Sequence, residues 1–151
     1  MKNRTIGYSI PRIEGLGKVT GQVKFPADFS LPGMLYGKTL RVPLASARVV
    51  RLDISKAEAL AGVVKVVTAK DIPGENGHGV IFPDAPVLVA DRVRSINDAV
   101  ALVVAESEAI AEEALELITV EYDELPGVYD PYQAMEEGAP LIWEKGNILY
   151  H

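Results

Sequence analysis

The chain has 151 residues, 48% of them hydrophobic and 24% charged, with a formal net charge of −6. That is enough apolar material for one well-buried core, and the acidic balance argues against a broad nucleic-acid or anionic-membrane surface. The chain contains no cysteine, so disulfides, thiolate-held iron–sulfur clusters and cysteine nucleophiles are excluded within these residues.

At the N-terminus, Met1 to Tyr8 has a basic start without an apolar stretch behind it, which predicts no secretory signal. No apolar run approaches the ~20 residues that span a bilayer. A cytoplasmic protein is expected, and the Asn3-Arg4-Thr5 sequon carries little weight without export. Residues 1–33 hold Gly7, Pro11, Gly15, Gly17, Gly21, Pro26, Pro32 and Gly33, a density of breakers that predicts a surface arm packing on the domain. One short strand is expected within it, near Lys18 to Phe25.

The core is expected over residues 34–130. Leu35 to Val42 and Ala47 to Ile54 read as strands, with Val49, Val50, Leu52 and Ile54 supplying β-compatible side chains. Ser55-Lys56-Ala57-Glu58 has the form of a capping box, opening a short helix that ends at Gly62. Val63 to Thr68 is the next strand, and strand–helix–strand in so few residues suggests a right-handed crossover between parallel strands. Asp71 to Pro86 is loop-like. Arg92 to Ile96 and Val100 to Ala105 predict a β-hairpin around Asn97-Asp98, where asparagine tolerates the turn.

Ser107 is placed to cap the longest helix, Glu108 to about Leu117, whose Ile110, Ala111, Ala114, Leu115 and Ile118 form an apolar stripe. Thr119 to Tyr122 continues as a strand. Residues 131–151 are expected to hold a short helix, begun by Asp130-Pro131, and the start of a linker to a following domain. The fold class is α+β, with a mixed sheet and two main helices.

Candidate chemistry is sparse. Gly15-Leu16-Gly17-Lys18 superficially resembles a phosphate loop, but Arg12 stands where a Walker A motif needs its first glycine and Val19 where it needs a hydroxyl. His78 lies in the glycine-rich stretch Gly74 to Gly79, and the only other histidine is His151, so no His–His metal spacing exists. Neither Glu75 nor Asp84 fits a recognisable metal geometry. Glu121 and Asp123 share one face of a strand and read as solvated, as do Glu136 and Glu137 at a helix end. No serine sits in a G-x-S-x-G elbow. Tyr122, Tyr129, Tyr132, Trp143 and Tyr150 gather in the last third, where packing is expected rather than ligand stacking. No catalytic, cofactor-binding or metal-binding residue is assigned.

Read in order, K-V-T-G at Lys18–Gly21, L-P-G-M-L at Leu31–Leu35, A-G-V-V-K-V-V-T-A-K-D-I-P at Ala61–Pro73, V-A-L-V-V-A-E-S at Val100–Ser107 and V-E-Y-D-E-L-P at Val120–Pro126 form a set. Together with Ile10-Pro11-Arg12 and Asp91-Arg92-Val93-Arg94, the set resembles the α/β-hammerhead domain of the xanthine dehydrogenase/aldehyde oxidase family. In that family the domain opens the molybdopterin-binding large subunit. The resemblance implies a noncatalytic structural and interface domain that binds no cofactor itself. Its implied partners are the remaining molybdenum-binding domains and an iron–sulfur subunit or domain, with no nucleic acid and no membrane. For the complete enzyme it implies molybdopterin, [2Fe–2S] clusters and flavin (FAD). Two stretches depart from the family pattern: Ser95 to Ala99 replaces a common G-E-P or G-Q-P turn, and Pro43 to Ala47 replaces a stretch often carrying histidines. The alternative is an independent small interaction or binding module sharing the fold. The apolar stretch Trp143 to His151 favours a truncated or separately encoded piece of a large subunit.

Overall fold

Ala99–Ala105 is an unbroken apolar run of seven residues, and in the computed structural model of the chain it forms a middle strand. The structure describes residues 6–7, 9–80 and 82–148; the sequon at Asn3, Tyr150 and His151 lie outside them. The chain divides into two compact units, Met1–Met34 and Leu35–His151.

In the first unit, helix α1 (Gly15–Val19) is followed by a 3₁₀ turn at Pro26–Asp28. The expected strand near Lys18 does not form. The N–H groups of Gln22 and Val23 both donate to the Gly17 carbonyl, at 2.8 and 3.1 Å, and so close a turn where a ladder would have to begin. Gly17 permits this closure, since a Cβ there would lie 2.9 Å from a Val23 methyl.

The second unit contains, in order, β1 (Tyr36–Arg41), β2 (Ala47–Asp53), α2 (Ser55–Glu58), β3 (Val63–Thr68), β4 (Arg92–Val93), β5 (Ala99–Ala105), α3 (Glu108–Glu116) and β6 (Thr119–Glu124). Among the described residues these strands form two three-stranded sheets, ordered β1-β5-β3 and β4-β2-β6. Every pairing is antiparallel. The α+β class holds, but the mixed sheet does not. A parallel crossover needs a dozen or more residues, and only residues 54–62 separate β2 from β3, so the two strands enter different sheets.

The expected hairpin also separates into its parts. β5 is paired on both sides, by β1 and β3, and leaves no edge for β4, which joins β2. The turn itself survives. Asn97 adopts φ 70°, and the Asp98 carboxylate accepts from the N–H groups of Arg94 and Ser95 at 2.9 and 3.1 Å. The backbone of Asn97 and Asp98 then pairs with Val42, each bond 2.9 Å.

Two apolar cores result. In the first, Ala111, Ala114 and Ile118 of the α3 region pack on Val66, Ala101, Val103 and Ala105. Alanines on both surfaces let the helix approach the sheet closely, and no residue in this contact carries a polar group to satisfy. The second core gathers Val42, Ala47, Val89, Val93 and Val100, with Leu40 and Val120 touching both. Val100 and Ala101, adjacent on β5, therefore feed different cores because strand side chains alternate.

Ser107 caps α3 as expected, accepting from the Ile110 N–H at 3.2 Å. The box expected at α2 does not form. Asp53, not Ser55, is the acceptor, taking the Ser55 N–H at 3.1 Å and its hydroxyl at 2.6 Å. α2 ends at Glu58, short of the expected Gly62; Gly62 instead takes φ +88° in the turn that the Val63 N–H closes onto the Leu60 carbonyl at 3.1 Å. The helix expected after Asp130 is reduced to a 3₁₀ turn, Gln133–Met135. Asp130 still accepts from the N–H groups of Tyr132 and Gln133, at 2.8 and 3.1 Å. Gly138 and Pro140 leave the turn no apolar periodic stretch to extend into.

Candidate functional site

The structure disperses most of the residues with chemical potential. Gly15 to Lys18 lies in the five-residue α1, where Glu14 pairs with Arg12 and Lys18 at 2.9 and 3.4 Å. The Glu14 carboxyl is held below its ordinary value, first by a backbone hydrogen bond and then by these two cations. Glu121 and Asp123 project from the exposed face of β6, with Arg51 3.7 Å from Glu121. Tyr122, on the other face, reaches the second core, and burial pushes its phenol up. Tyr129 and Tyr132 are exposed rather than packed. Glu136 and Glu137 are exposed.

His78 is exposed and contributes through its backbone. Its N–H and carbonyl pair with Ala85, at 2.8 and 3.2 Å, and fold the glycine-rich stretch back on itself. The glycines explain how. A Cβ on Gly77 would collide with the Pro83 carbonyl oxygen, so that crossing admits only glycine. Asn76 then fastens the loop: its side-chain oxygen accepts from Val87 and Leu88, each at 3.1 Å, and its amide donates to the Leu88 carbonyl at 2.6 Å.

One constellation brings distant residues together. Arg92 and Arg94, on and beside β4, reach across to the segment after the 3₁₀ turn. The Arg92 guanidinium donates to the Leu141 carbonyl at 3.2 Å and to the Ser46 hydroxyl at 3.3 Å. Arg94 lies 4.3 Å above the Trp143 ring centroid and donates from Nε to the Ile142 carbonyl at 3.2 Å. Asn147 closes the segment on itself, accepting from the Ile142 N–H at 2.8 Å and donating to the Ala134 and Pro140 carbonyls at 3.0 Å. The segment is held by cations and one amide, with little apolar burial. From the sequence, packing was expected of Trp143 and a strand of Arg92 to Ile96, but not their contact. Their available signal was Arg92 and Arg94 on alternate strand positions and the sole tryptophan at 143, a pairing that spans some fifty positions.

Beside this strap lies a cleft of about 580 Å³ walled by Phe82, Trp143 and Ile148, with Asp84, Glu144 and Lys145 among its polar residues. Its lining does not make a metal centre. Among the described residues no group of three or more histidines, cysteines, aspartates or glutamates could hold an ion. A [2Fe–2S] cluster needs thiolate ligands, and the sequence has none. No helix among the described residues is long and apolar enough to cross a membrane.

The domain family described as "Aldehyde oxidase and xanthine dehydrogenase, a/b hammerhead domain" matches residues 20–126. The chain is 52% identical over 139 residues to a probable xanthine dehydrogenase subunit of Bacillus subtilis (strain 168), covering 92% of this chain and 19% of that protein. It is 43% identical over 145 residues to the nicotinate dehydrogenase large molybdopterin subunit of Eubacterium barkeri, covering 96% and 34%. The crystal structure of the aldehyde oxidoreductase from Desulfovibrio desulfuricans ATCC 27774 superimposes with a TM-score of 0.83 at 32% identity, over 93% of this chain and 17% of that one. The chain thus spans between 19% and 34% of the length of these two curated relatives. With over two-thirds of its residues matched by one domain family, and its fold shared with a solved relative, the chain belongs to the α/β-hammerhead family of aldehyde oxidases and xanthine dehydrogenases.

Proposed function

We propose that the chain serves as a noncatalytic structural and interface domain of a molybdenum hydroxylase large subunit. The observation that carries this reading is the match of nearly the whole chain to a minor fraction of relatives described as a xanthine dehydrogenase subunit and a large molybdopterin subunit. The absence of cysteine and of any metal-ligating cluster among the described residues supports placing the chemistry elsewhere. In the complete enzyme, molybdopterin, [2Fe–2S] clusters and FAD would be held by other domains, and the oxidation would take place there. This chain's part is to supply a rigid antiparallel scaffold and surfaces for the neighbouring molybdenum-binding domains and the iron–sulfur subunit. The arm, residues 1–33, is proposed to pack in that assembly, and the compartment to be the cytoplasm. The short share of each relative favours this reading over an independent binding module.

The test is a chimera in which this chain replaces the matching segment of the Bacillus subtilis relative. A chimera that assembles and retains molybdenum and oxidoreductase activity is expected. The isolated chain should carry neither molybdenum nor iron by elemental analysis. Stoichiometric metal on the isolated chain would refute the noncatalytic assignment.

A further inference from the structure

β5 is apolar throughout, but its two faces are not equally covered. Ala101, Val103 and Ala105 lie buried with α3 in the first core. On the opposite face Val100 is buried in the second core, whereas Leu102 and Val104, farther along, are part-buried and belong to neither core. Directly opposite residues of paired strands share a face, so the register completes this surface. Thr39, Leu102 and Val67 form one row across β1, β5 and β3, and Gly37, Val104 and Lys65 form the next. Val67 also lies outside both cores. Gly37 keeps the surface flat, with the Leu102 Cδ1 3.5 Å from where a Cβ would stand. The one charge, Lys65, is paired with Asp71 at 3.2 Å. The second core therefore stops part-way along the sheet, and a flat apolar surface continues beyond it.

An antiparallel sheet with one face in solvent ordinarily alternates apolar and polar residues. β6 does so: Val120 and Tyr122 pack against the cores while Thr119, Glu121 and Asp123 are exposed. β5 carries no polar residue on either face, which is the composition of a strand covered on both.

What covers the second face follows from its size and from the relatives. Two valines, a leucine, a threonine and a glycine present far less than the ~800 Å² per partner of a stable interface between separate proteins. A patch this small suits a segment joined to the same polypeptide, where tethering supplies the effective concentration. The relatives extend well beyond the matched region, which is 19% of the Bacillus subtilis protein and 34% of the Eubacterium barkeri one. We infer that the face of the β1-β5-β3 sheet opposite α3 is a docking surface, covered by an apolar segment from the remainder of the large subunit. The inference rests on the function proposed above and names a surface that serves it.

The chain has no cysteine, so a single introduced thiol reports the exposure of this face. Thr39→Cys and Val67→Cys place it on either side of Leu102. Each variant is compared in the isolated chain and in the Bacillus subtilis chimera, with the alkylated peptide identified by mass. Both thiols should react readily with a maleimide in the isolated chain and several-fold more slowly in the assembled chimera. Leu102→Lys should leave the isolated chain's thermal midpoint little changed and lower the molybdenum retained by the chimera, whereas Leu102→Met should preserve it. Equal alkylation in both proteins would overturn the inference and leave the proposed function intact. Slow alkylation already in the isolated chain would also overturn it, assigning the face to a second copy if the chain sediments as a dimer and to the chain itself if it sediments as a monomer. A wild-type chimera that does not assemble would remove the proposed function, and this inference with it.

Discussion

Replacing Arg94 with alanine tests how much of the hold on the segment around Trp143 comes from this one side chain, beside Arg92 and Asn147. Arg94 stacks 4.3 Å from the Trp143 ring and donates to the Ile142 carbonyl at 3.2 Å. A part-buried cation–π contact contributes roughly 0.5–1 kcal/mol at the low end, and a charge-assisted hydrogen bond about 1.5 kcal/mol at the low end of its range. Together they hold the segment by about 2 kcal/mol, or roughly a 30-fold bias toward the docked state. The segment contributes no residue to either buried core, so its release should leave global unfolding largely in place. Trp143 is the only tryptophan and reports the event directly. Arg94→Ala should shift its emission to the red and raise its quenching by acrylamide, with little change in the far-ultraviolet circular dichroism. Arg94→Lys should fall between, because lysine keeps the charge but loses the planar stack. Unchanged quenching in Arg94→Ala would show that Arg92 and Asn147 suffice to hold the strap and would refute the contribution assigned to Arg94.

Ser107→Ala removes the cap acceptor of α3 and should lower stability by about 1 kcal/mol in denaturant titration; an unchanged midpoint would mean the cap contributes nothing. Gly62→Ala forces a side chain into φ +88° and puts its Cβ 2.7 Å from the Ile110 Cδ1. The left-handed conformation costs about 1–2 kcal/mol, partly offset by a stiffer unfolded chain, so a lower Tm is expected and a higher one would contradict the geometry. Asp71 accepts from the Thr68 N–H and hydroxyl and pairs with Lys65, and these contacts, the backbone bond first, hold its carboxyl below the ordinary 3.8. A lowered folded pKa means its stabilisation is complete above that ordinary value and is lost as pH falls through the folded pKa. Asp71→Asn should therefore weaken the acid dependence of stability below about pH 4, and an acid limb identical to wild type would contradict this. Lys38 runs the other way. Glu108 first, then Glu112, raise its pKa, so its contribution is present below 10.5 and is lost as pH rises through the raised value; Lys38→Met should remove that alkaline loss in a pH series of melts.

Much of the local structure was legible in the chain. Ser107 followed by an acidic first turn and an alanine-rich stripe determined α3, because capping and 3.6-residue periodicity act within a few residues. Gly62 and Asn97 marked left-handed turns for the same reason. The misreadings arose where a local signal had two solutions. Ser55 and Glu58 satisfy the pattern of a capping box, but Asp53, at the end of β2, offers a charged acceptor that takes the Ser55 N–H and hydroxyl. Asn97 made a hairpin turn plausible, yet both flanks of β5 were already taken by β1 and β3. The strap residues were least legible, since Arg94 and Trp143 acquire their meaning only from each other.

By itself the sequence determined the bounds of α3, most strand segments, the absence of thiolate chemistry and, through its ordered short segments, the hammerhead resemblance. Each of these depends on residues that are neighbours along the chain or on a residue type that is absent altogether. Tertiary structure decided the rest: that β2 and β3 belong to different sheets, that β4 pairs with β2, and that Phe82 and Trp143 wall one cleft. Pairing is a competition among edges for hydrogen-bonding partners and among faces for a core. Its outcome is set only when all the strands are present together.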